Sequence, residues 1–508
     1  MNSNQGVDKL LKFAAIGEPD ANAEYFLARR EKKTPIFIDA YYDNDSLDLG
    51  EFKRGTKFIL YGQKGTGKTA LLRHLEKESL AEYKSKFIVF RKEILEEAEL
   101  STLAVGDVTS LVVDEEQIKK THFYQHAMKR LLLTLLLAEC ESIDEPEGIN
   151  WLSKLKEGFS NSTAGEIASQ VMDSVIAVVQ SARIDVGSAS KGMASLDSAK
   201  LIKRSNDAFS KYCFGQFKKK NLKARIFLDE MHFAYRDKTT LSADAALVRD
   251  TIIAVQNINE KLIEMDIDSC IYISVRSEFL EHEEIATADV AHTIQSYGKE
   301  ISWESHVYNR SHPVFALMNS RLQLSFGAGF TKKQMMSRFF PDMAYEDFLK
   351  YSWGKPRDIV RFFKSAKELY PNNYKLTHQE FSSVLRKYSN LAWQDLRSAL
   401  TAFAPKESIS SIEAVIAMMA KRTFESGGRY DLPAALEALR PVHESMAADG
   451  VKYDLVEFFR LLYIVGVFYI TYRDDKGEVI LHQFHRGNRR PVDKGEVNLH
   501  HSVVKAFS

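Results

Sequence analysis

Cysteine is scarce: Cys140, Cys213 and Cys270 are the only three in 508 residues. They are far apart and show no CxxC spacing. That argues against a disulfide framework and a cysteine zinc site, and it fits a reducing cytosol. A surplus charge of either sign is also missing, since 69 Lys plus Arg balance 69 Asp plus Glu. A protein-wide basic field of the kind that gathers nucleic acid is therefore excluded, although a local basic patch is not. Long apolar runs are absent too. The longest, at 131–138 and the mixed run 461–472, fall short of the roughly 18 to 20 residues a membrane helix needs. Residues 1–8 are polar and lack an apolar signal core. No internal repeat or low-complexity tract occurs. These absences point to a soluble, cytoplasmic chain without a membrane partner. What is present is ordinary globular material, 45% apolar and 27% charged, in a length that suggests two to four domains.

The order of elements predicts an α/β protein. Residues 57–61 (KFILY) lie between Gly55 and Gly62 and read as a buried parallel strand. Leucines at 71, 72, 75 and 80 give the helical spacing of 69–84, and 86–90 (KFIVF) reads as a second strand. Residues 225–228 (RIFL) and 270–275 (CIYISV) are the next buried strands. The helical patterns between them imply right-handed crossovers and a parallel sheet. The long stretch 91–223 carries helical patterns at 122–140 and 164–182, polar loops such as 160–163, and a glycine-rich turn at 187–192. It reads as an insertion that either holds partner contacts or adds a helical layer. Residues 308–405 are mostly helical. Helices near 409–421, 432–447 and 453–463 then precede runs at 466–471 and 478–484. Asp475-Lys476-Gly477 between those runs is a hairpin signal. The expected division is a lead-in at 1–50, a nucleotide-binding core at 51–305, a helical lid at 306–405 and a winged-helix-like unit at 406–508.

The sharpest motif is Gly62-Gln63-Lys64-Gly65-Thr66-Gly67-Lys68-Thr69, a full GxxxxGK[ST] match between a strand and a helix. Glycines let such a loop curl its N–H groups around phosphate. The following helix aims its positive end at the same anion. Lys68 would reach the β- and γ-phosphates of ATP, and the Thr69 hydroxyl would ligate Mg²⁺. Asp229 and Glu230 end the strand at 225–228. Asp229 is placed to hold Mg²⁺ beside Thr69, and Glu230 to polarise an attacking water. A strand that simply ends in solvated acids is the alternative. His232 follows, either as a γ-phosphate sensor or as a packing residue. Arg276, at the tip of the 270–275 strand, is placed to stabilise charge at the γ-phosphate edge. A surface arginine opening a helix reads equally simply. Trp353-Gly354-Lys355-Pro356-Arg357-Asp358 forms a tight turn before a helix. Pro356 is expected to cap a base there, with Arg357 or Arg361 on phosphate, unless the turn is only a helix connector.

Taken in this order, the elements resemble the AAA+/STAND side of the P-loop NTPases. The 62–69 loop is similar to the Walker A motif and 226–230 to the Walker B motif. Arg276 resembles the sensor arginine of STAND proteins. Gly354-Lys355-Pro356-Arg357 resembles their GxP turn and the lid segment of origin-recognition-type ATPases. Ile301-Ser302-Trp303 leading to Arg321-Leu322 resembles the linker of bacterial orphan ATPases, and 499–504 the end of their winged-helix unit. The chain departs from that pattern in the length between Lys68 and Asp229 and in a lid turn without aliphatic residues. It also lacks an assignable arginine finger, with Arg310 and Arg321 as the candidates. The resemblance implies ATP and Mg²⁺ as cofactors, with Lys68, Glu230 and Arg276 as the catalytic set. It also implies a molecular switch that works through a homo-oligomer or a protein partner, as in bacterial antiviral defence ATPases.

Nucleic acid is the competing partner. Arg473, Lys476, Arg486, Arg489, Arg490 and Lys494 surround the expected wing, and Lys218-Lys219-Lys220 with Lys223 and Arg225 form another basic run. Asp474, Asp475, Glu478, Asp493 and Glu496 dilute the first cluster. The helix before the wing, with Asp454, Glu457, Phe458 and Phe459, is poorly suited to a major groove. An ATP-dependent loader or remodeller of nucleic acid is therefore the alternative function. A kinase-like transferase built on the same loop is a weaker third.

Overall fold

The computed structural model describes residues 9–42, 48–90, 123–141, 196–231, 238–280, 285–303, 309–401, 404–426, 430–448, 454–486, 488 and 490–508. His232, the polar loops at 160–163 and 187–192, the helical pattern at 164–182 and Arg489 lie outside them. The core is α/β. Strands β1 (Ile59–Gly62), β2 (Lys84–Val89), β3 (Ala224–Met231), β4 (Cys270–Arg276) and β5 (Gly298–Glu300) form one sheet in the order β2-β3-β4-β1-β5. Every neighbouring pair is parallel. The four expected strands are present, with ends moved by at most three residues. Strand β5 is additional, its three residues Gly-Lys-Glu having no apolar pattern to betray it. Residues 224–229 of β3 and 270–275 of β4 are buried throughout, as continuous apolar runs in a parallel sheet must be.

The faces are covered by helices. Ahead of β1 come α1 (Ala21–Arg30), α2 (Ile36–Asp39) and α3 (Leu49–Lys53). Helix α4 (Lys68–Ser79) follows β1 and buries Leu71, Leu72 and Leu75 against β2, β3 and β4. The described parts of the insertion are two helices, α5 (Phe123–Glu141) and α6 (Leu196–Lys219), which pack on each other. Helix α7 (Lys238–Glu264) packs on α5 and β4, and α8 (Ser277–Leu280) and α9 (Ala288–Tyr297) complete the core.

Beyond residue 309 the chain is helical: α10 (Pro313–Phe326), α11 (Lys332–Phe339), α12 (Tyr345–Tyr351), α13 (Pro356–Leu369) and α14 (His378–Leu400). Helix α13 begins with proline at its first position, and the buried Asp358 carboxylate accepts from the N–H groups of Trp353 (2.9 Å) and Lys355 (3.1 Å). It buries Ile359, Val360, Phe362, Phe363 and Ala366 at helical spacing. The C-terminal section contains α15 (Ile409–Ser426), β6 (Tyr430–Asp431), α16 (Leu432–Ala448), α17 (Leu455–Val465), β7 (Phe468–Arg473), β8 (Val479–His482), β9 (Glu496–Leu499) and α18 (His501–Phe507). Its strands form an antiparallel sheet in the order β6-β9-β7-β8. The expected hairpin is β7–β8, closed by Asp474, which accepts from the N–H groups of Lys476 and Glu478. Among the described residues, no helix is long and apolar enough to cross a membrane.

The lead-in does more than deliver the chain to β1. Residues 9–20 bind the later helices: Leu11 N–H donates to the Asn373 carbonyl, Ala15 N–H to Ser325 Oγ, and Lys367 Nζ to the Ala14 carbonyl. Helix α1 lies against α4, where the Arg73 guanidinium packs between the rings of Tyr25 and Phe87 at 3.9 and 3.3 Å. The segment therefore joins the sheet core to the helices beyond 309.

Candidate active site

The carboxyl end of a parallel sheet is where backbone N–H groups and helix N-termini converge, so ligands collect there. Residues 62–69 leave β1 at that edge. Gly67 is the N-cap of α4 with a left-handed φ of 98°, and Gly65 has a φ of 87°. A Cβ on Gly65 would lie 3.1 Å from the Arg357 Cβ. Glycine is thus required at that position both for its conformation and for the close approach of α13. Thr66 Oγ1 donates to the Gln63 carbonyl (2.9 Å), and Trp303 Nε1 donates to the Thr66 carbonyl (2.9 Å). Lys68 Nζ donates to the carbonyls of Gly62 (2.7 Å) and Gln63 (2.9 Å), so its ammonium lies over the loop it follows. Thr69 is half-buried in the first turn of α4.

Asp229 and Glu230 reach the same edge from β3. Asp229 is 1% exposed, and its Oδ1 accepts from Ser274 Oγ of β4 at 2.5 Å. Its other partner among the described residues is the Asn22 carboxamide, at 3.5 Å from Oδ2. A carboxylate buried with neutral partners is costly unless a cation joins it. The donors present suit Mg²⁺, which takes oxygen ligands: the Asp229 carboxylate and the Thr69 hydroxyl. Among the described residues, no cluster of three or more His, Cys, Asp or Glu exists that could hold a metal by itself. Both facts fit a cation shared between protein and substrate phosphate rather than a caged one. Glu230 has a φ of 58°, at the point where the β3–β4 register shifts. A non-glycine residue held in that region stores strain, which is often found at working sites. The twist turns Glu230 out of the strand's alternation, so it is half-buried beside the buried Asp229.

Arg276 pairs in register with Gly62, at the same level of the sheet as the start of the loop. It acts electrostatically on Lys64, whose ammonium is lowered below its ordinary pKa by burial and by the nearby Arg276 and Arg357, with Asp395 opposing. Arg357 arrives from α13. Its N–H lies 3.4 Å from the Gly65 carbonyl, its Nη1 3.5 Å from Asp395 and its Nη2 3.2 Å from Asp20. Asp395, on α14, also holds Arg361 at 2.5 Å and Lys64 at 3.4 Å. Burial would raise its pKa, but Arg361, Arg357 and Lys64 together hold it well below the usual carboxylate range. The structure thus gathers residues 62–69, Asp229, Glu230, Arg276, Pro356 and Arg357 at one edge. It also shows that Arg321 is buried inside the chain, 3.4 Å from Glu24 and 2.6 Å from the Ile16 carbonyl. Of the two finger candidates, only Arg310 is exposed.

A small pocket of about 60 Å³ lies beside the loop. Thr66, Gly67, Tyr41, Tyr42, Trp303 and Pro356 line it together with Arg321, so its walls are mostly aromatic and aliphatic with one guanidinium, next to the 62–69 loop. Sequence reading placed Pro356 here. It missed Trp303 and Tyr42 as wall residues, Asp395 as the anchor and Asn22 as a partner of the carboxylates. No protein-family model matches the chain, and a search of curated proteins returns no match. The site is therefore read from its own geometry.

Asp395 allows a test of that geometry. A carboxylate with a depressed pKa stabilises the fold above its ordinary pKa, and that contribution is lost as the pH falls through the lower, folded value. Asp395→Asn is expected to cost about 2 kcal/mol at neutral pH, as the loss of charged hydrogen bonds does. The difference in melting temperature from wild type should shrink as the pH drops below about 4. A difference that stays constant down to acid pH would mean that the ion cluster does not form.

Proposed function

We propose that this chain is an ATP-binding and ATP-hydrolysing switch of the P-loop type, with helices α10–α14 acting as its lid and the C-terminal section, winged-helix-like in its helix-and-hairpin order, as its output. The observation that carries the reading is convergence. A complete phosphate loop, a buried Asp229 beside Glu230, Arg276 and the lid residue Arg357 meet at one edge of a parallel sheet. In this reading the phosphates lie in the N–H nest of 62–69, with Lys68 on the β- and γ-phosphates and Arg276 at the γ-phosphate edge. Thr69 and Asp229 would hold Mg²⁺, which when bound offsets phosphate charge. Glu230 takes the proton of the attacking water. The base occupies the aromatic cavity between Tyr42, Trp303 and Pro356.

A short turn supports the coupling of nucleotide to output. Residues 353–357 touch the loop through Pro356 and Arg357. The same turn touches the C-terminal section through Trp353, which donates to the Gly466 carbonyl (3.1 Å) and stacks on His500 with centroids 4.1 Å apart. A shift of the turn on γ-phosphate binding would thus be felt in both places. The loader reading has less support. Helix α17 buries Phe458, Phe459, Leu462, Tyr463, Ile464 and Val465, and so is packed rather than presented to a groove. Lys223 and Arg225 both pair with Asp268.

The test is phosphate release with ATP and Mg²⁺, followed in parallel by light scattering and limited proteolysis. The switch reading expects hydrolysis, together with a change of assembly or of cleavage in residues 404–508 that distinguishes ATP from ADP. A protein indifferent to ATP that shifts only when a DNA duplex is added would replace this reading with the loader.

A further inference from the structure

The first helix reaches into the carboxylate pair from outside the sheet. Asn22, the second residue of α1, is 3% exposed. Its Nδ2 donates to Glu230 Oε1 at 3.0 Å and lies 3.5 Å from Asp229 Oδ2. Its Oδ1 is buried and has no hydrogen-bond partner among the described residues. The two ends of the carboxamide are not interchangeable, because a flip would set an acceptor against two carboxylates. Helix α1 is anchored without this residue. Asp20 caps it through the Ala23 N–H and pairs with Arg357, while the buried Glu24 holds Arg321 and the N–H of Phe37. Packing would favour an aliphatic residue here, which would bury no unmet acceptor. An asparagine with one end bound to a strained glutamate and the other unfilled instead suits a pair of jobs, holding a carboxylate and accepting from a water.

We propose that Asn22 is a positioning residue for hydrolysis. Its NH₂ fixes the Glu230 carboxylate, and its Oδ1 accepts one hydrogen bond from the water whose other proton faces Glu230. The water's oxygen is then left with a lone pair directed to the γ-phosphorus. The new O–P bond forms as the γ-phosphorus–oxygen bond to ADP breaks. The leaving electron pair stays on ADP, and the water's proton passes to Glu230. Asn22 exchanges no proton. This proposal rests on the reading of Glu230 as the base.

The experiment uses the full chain and four variants: Asn22→Ala, Asn22→Asp, Glu230→Gln and the double variant Asn22→Asp/Glu230→Gln. For Asn22→Ala and Asn22→Asp, kcat is expected to fall by about tenfold or more. KM and the affinity for a fluorescent ATP analogue should stay within about threefold, because the contact serves the transition state rather than binding. The second readout is melting temperature, which needs no turnover. Asn22→Asp sets carboxylate against carboxylate and lowers it. Adding Glu230→Gln restores it in part, because the new amide donates to the carboxylate introduced on α1 while Asp229 still faces that carboxylate; no restoration would mean that the contact on which the proposal stands does not form. If wild type hydrolyses ATP, Glu230→Gln does not, and Asn22→Ala keeps or exceeds the wild-type kcat, this proposal is overturned while the ATPase reading stands. If wild type binds ATP without hydrolysing it, both fall.

Discussion

Lys68→Ala weakens ATP binding severely. Removing one side of a desolvated charge pair costs about 2–5 kcal/mol, and each 1.4 kcal/mol is tenfold in affinity. The dissociation constant should therefore rise by about thirtyfold to several thousandfold. The nest itself is backbone, shaped by the left-handed conformations of Gly65 and Gly67, and the substitution removes none of its N–H groups. What is lost is the ammonium that lies over the loop, now donating to the carbonyls of Gly62 and Gln63. Those two hydrogen bonds lie in the protein alone, so the variant without nucleotide should also melt slightly lower than wild type. The decisive quantity is therefore the ligand-induced shift. ATP with Mg²⁺ at a hundred times the dissociation constant stabilises a folded protein by about 2.7 kcal/mol. Wild type should show that shift in melting temperature, and Lys68→Ala at the same ATP concentration at most about a third of it. A Lys68→Ala protein with the full shift would mean that the nucleotide binds elsewhere and would remove the 62–69 loop from the account.

The parts of this site that were legible in the sequence are those whose chemistry occupies consecutive residues. Four residue types at fixed spacing within eight positions are needed for such a loop, so 62–69 announces itself. A buried strand that ends in two acids does the same for 224–231, and a Gly-x-Pro turn before a helix marks Pro356. The residues missed belong to the tertiary arrangement. Asn22 meets Glu230 across 208 positions of sequence, and nothing in a short amphipathic helix distinguishes it from a solvent-facing polar residue. Asp395 sits on α14 with the spacing of a surface acid, yet it closes a cluster of three cations. Arg321 misleads in the opposite sense. It stands in the sequence as an arginine-finger candidate, but the lead-in folds back and buries it against Glu24. Strands β5 and β6 are too short to carry an alternation, and only pairing with a neighbour defines them.

Glu230→Gln separates binding from chemistry. A positioned general base contributes about 10²–10⁴ in rate, so kcat should fall by that amount while the dissociation constant for ATP stays near wild type. The substitution is clean because it changes charge and little else. Glutamine has the same shape, tolerates the φ of 58° no worse than glutamate does, and keeps an oxygen that can accept from Asn22 Nδ2. Alanine in its place would open a gap beside the buried Asp229 and confuse lost chemistry with lost structure. Asp229 is untouched, so its part in holding Mg²⁺ is untouched as well. The variant should accumulate with ATP bound, and the nucleotide recovered from it after brief incubation should be the triphosphate. Whatever contact the turn at 353–357 makes in the ATP state should persist in it, because the state no longer decays. A switch predicts that the assembly or cleavage pattern specific to ATP becomes long-lived in Glu230→Gln and disappears in Lys68→Ala. Hydrolysis by Glu230→Gln at the wild-type rate would leave its strained backbone and its contact with Asn22 without a catalytic purpose, and the base would have to be sought among the other groups at that edge.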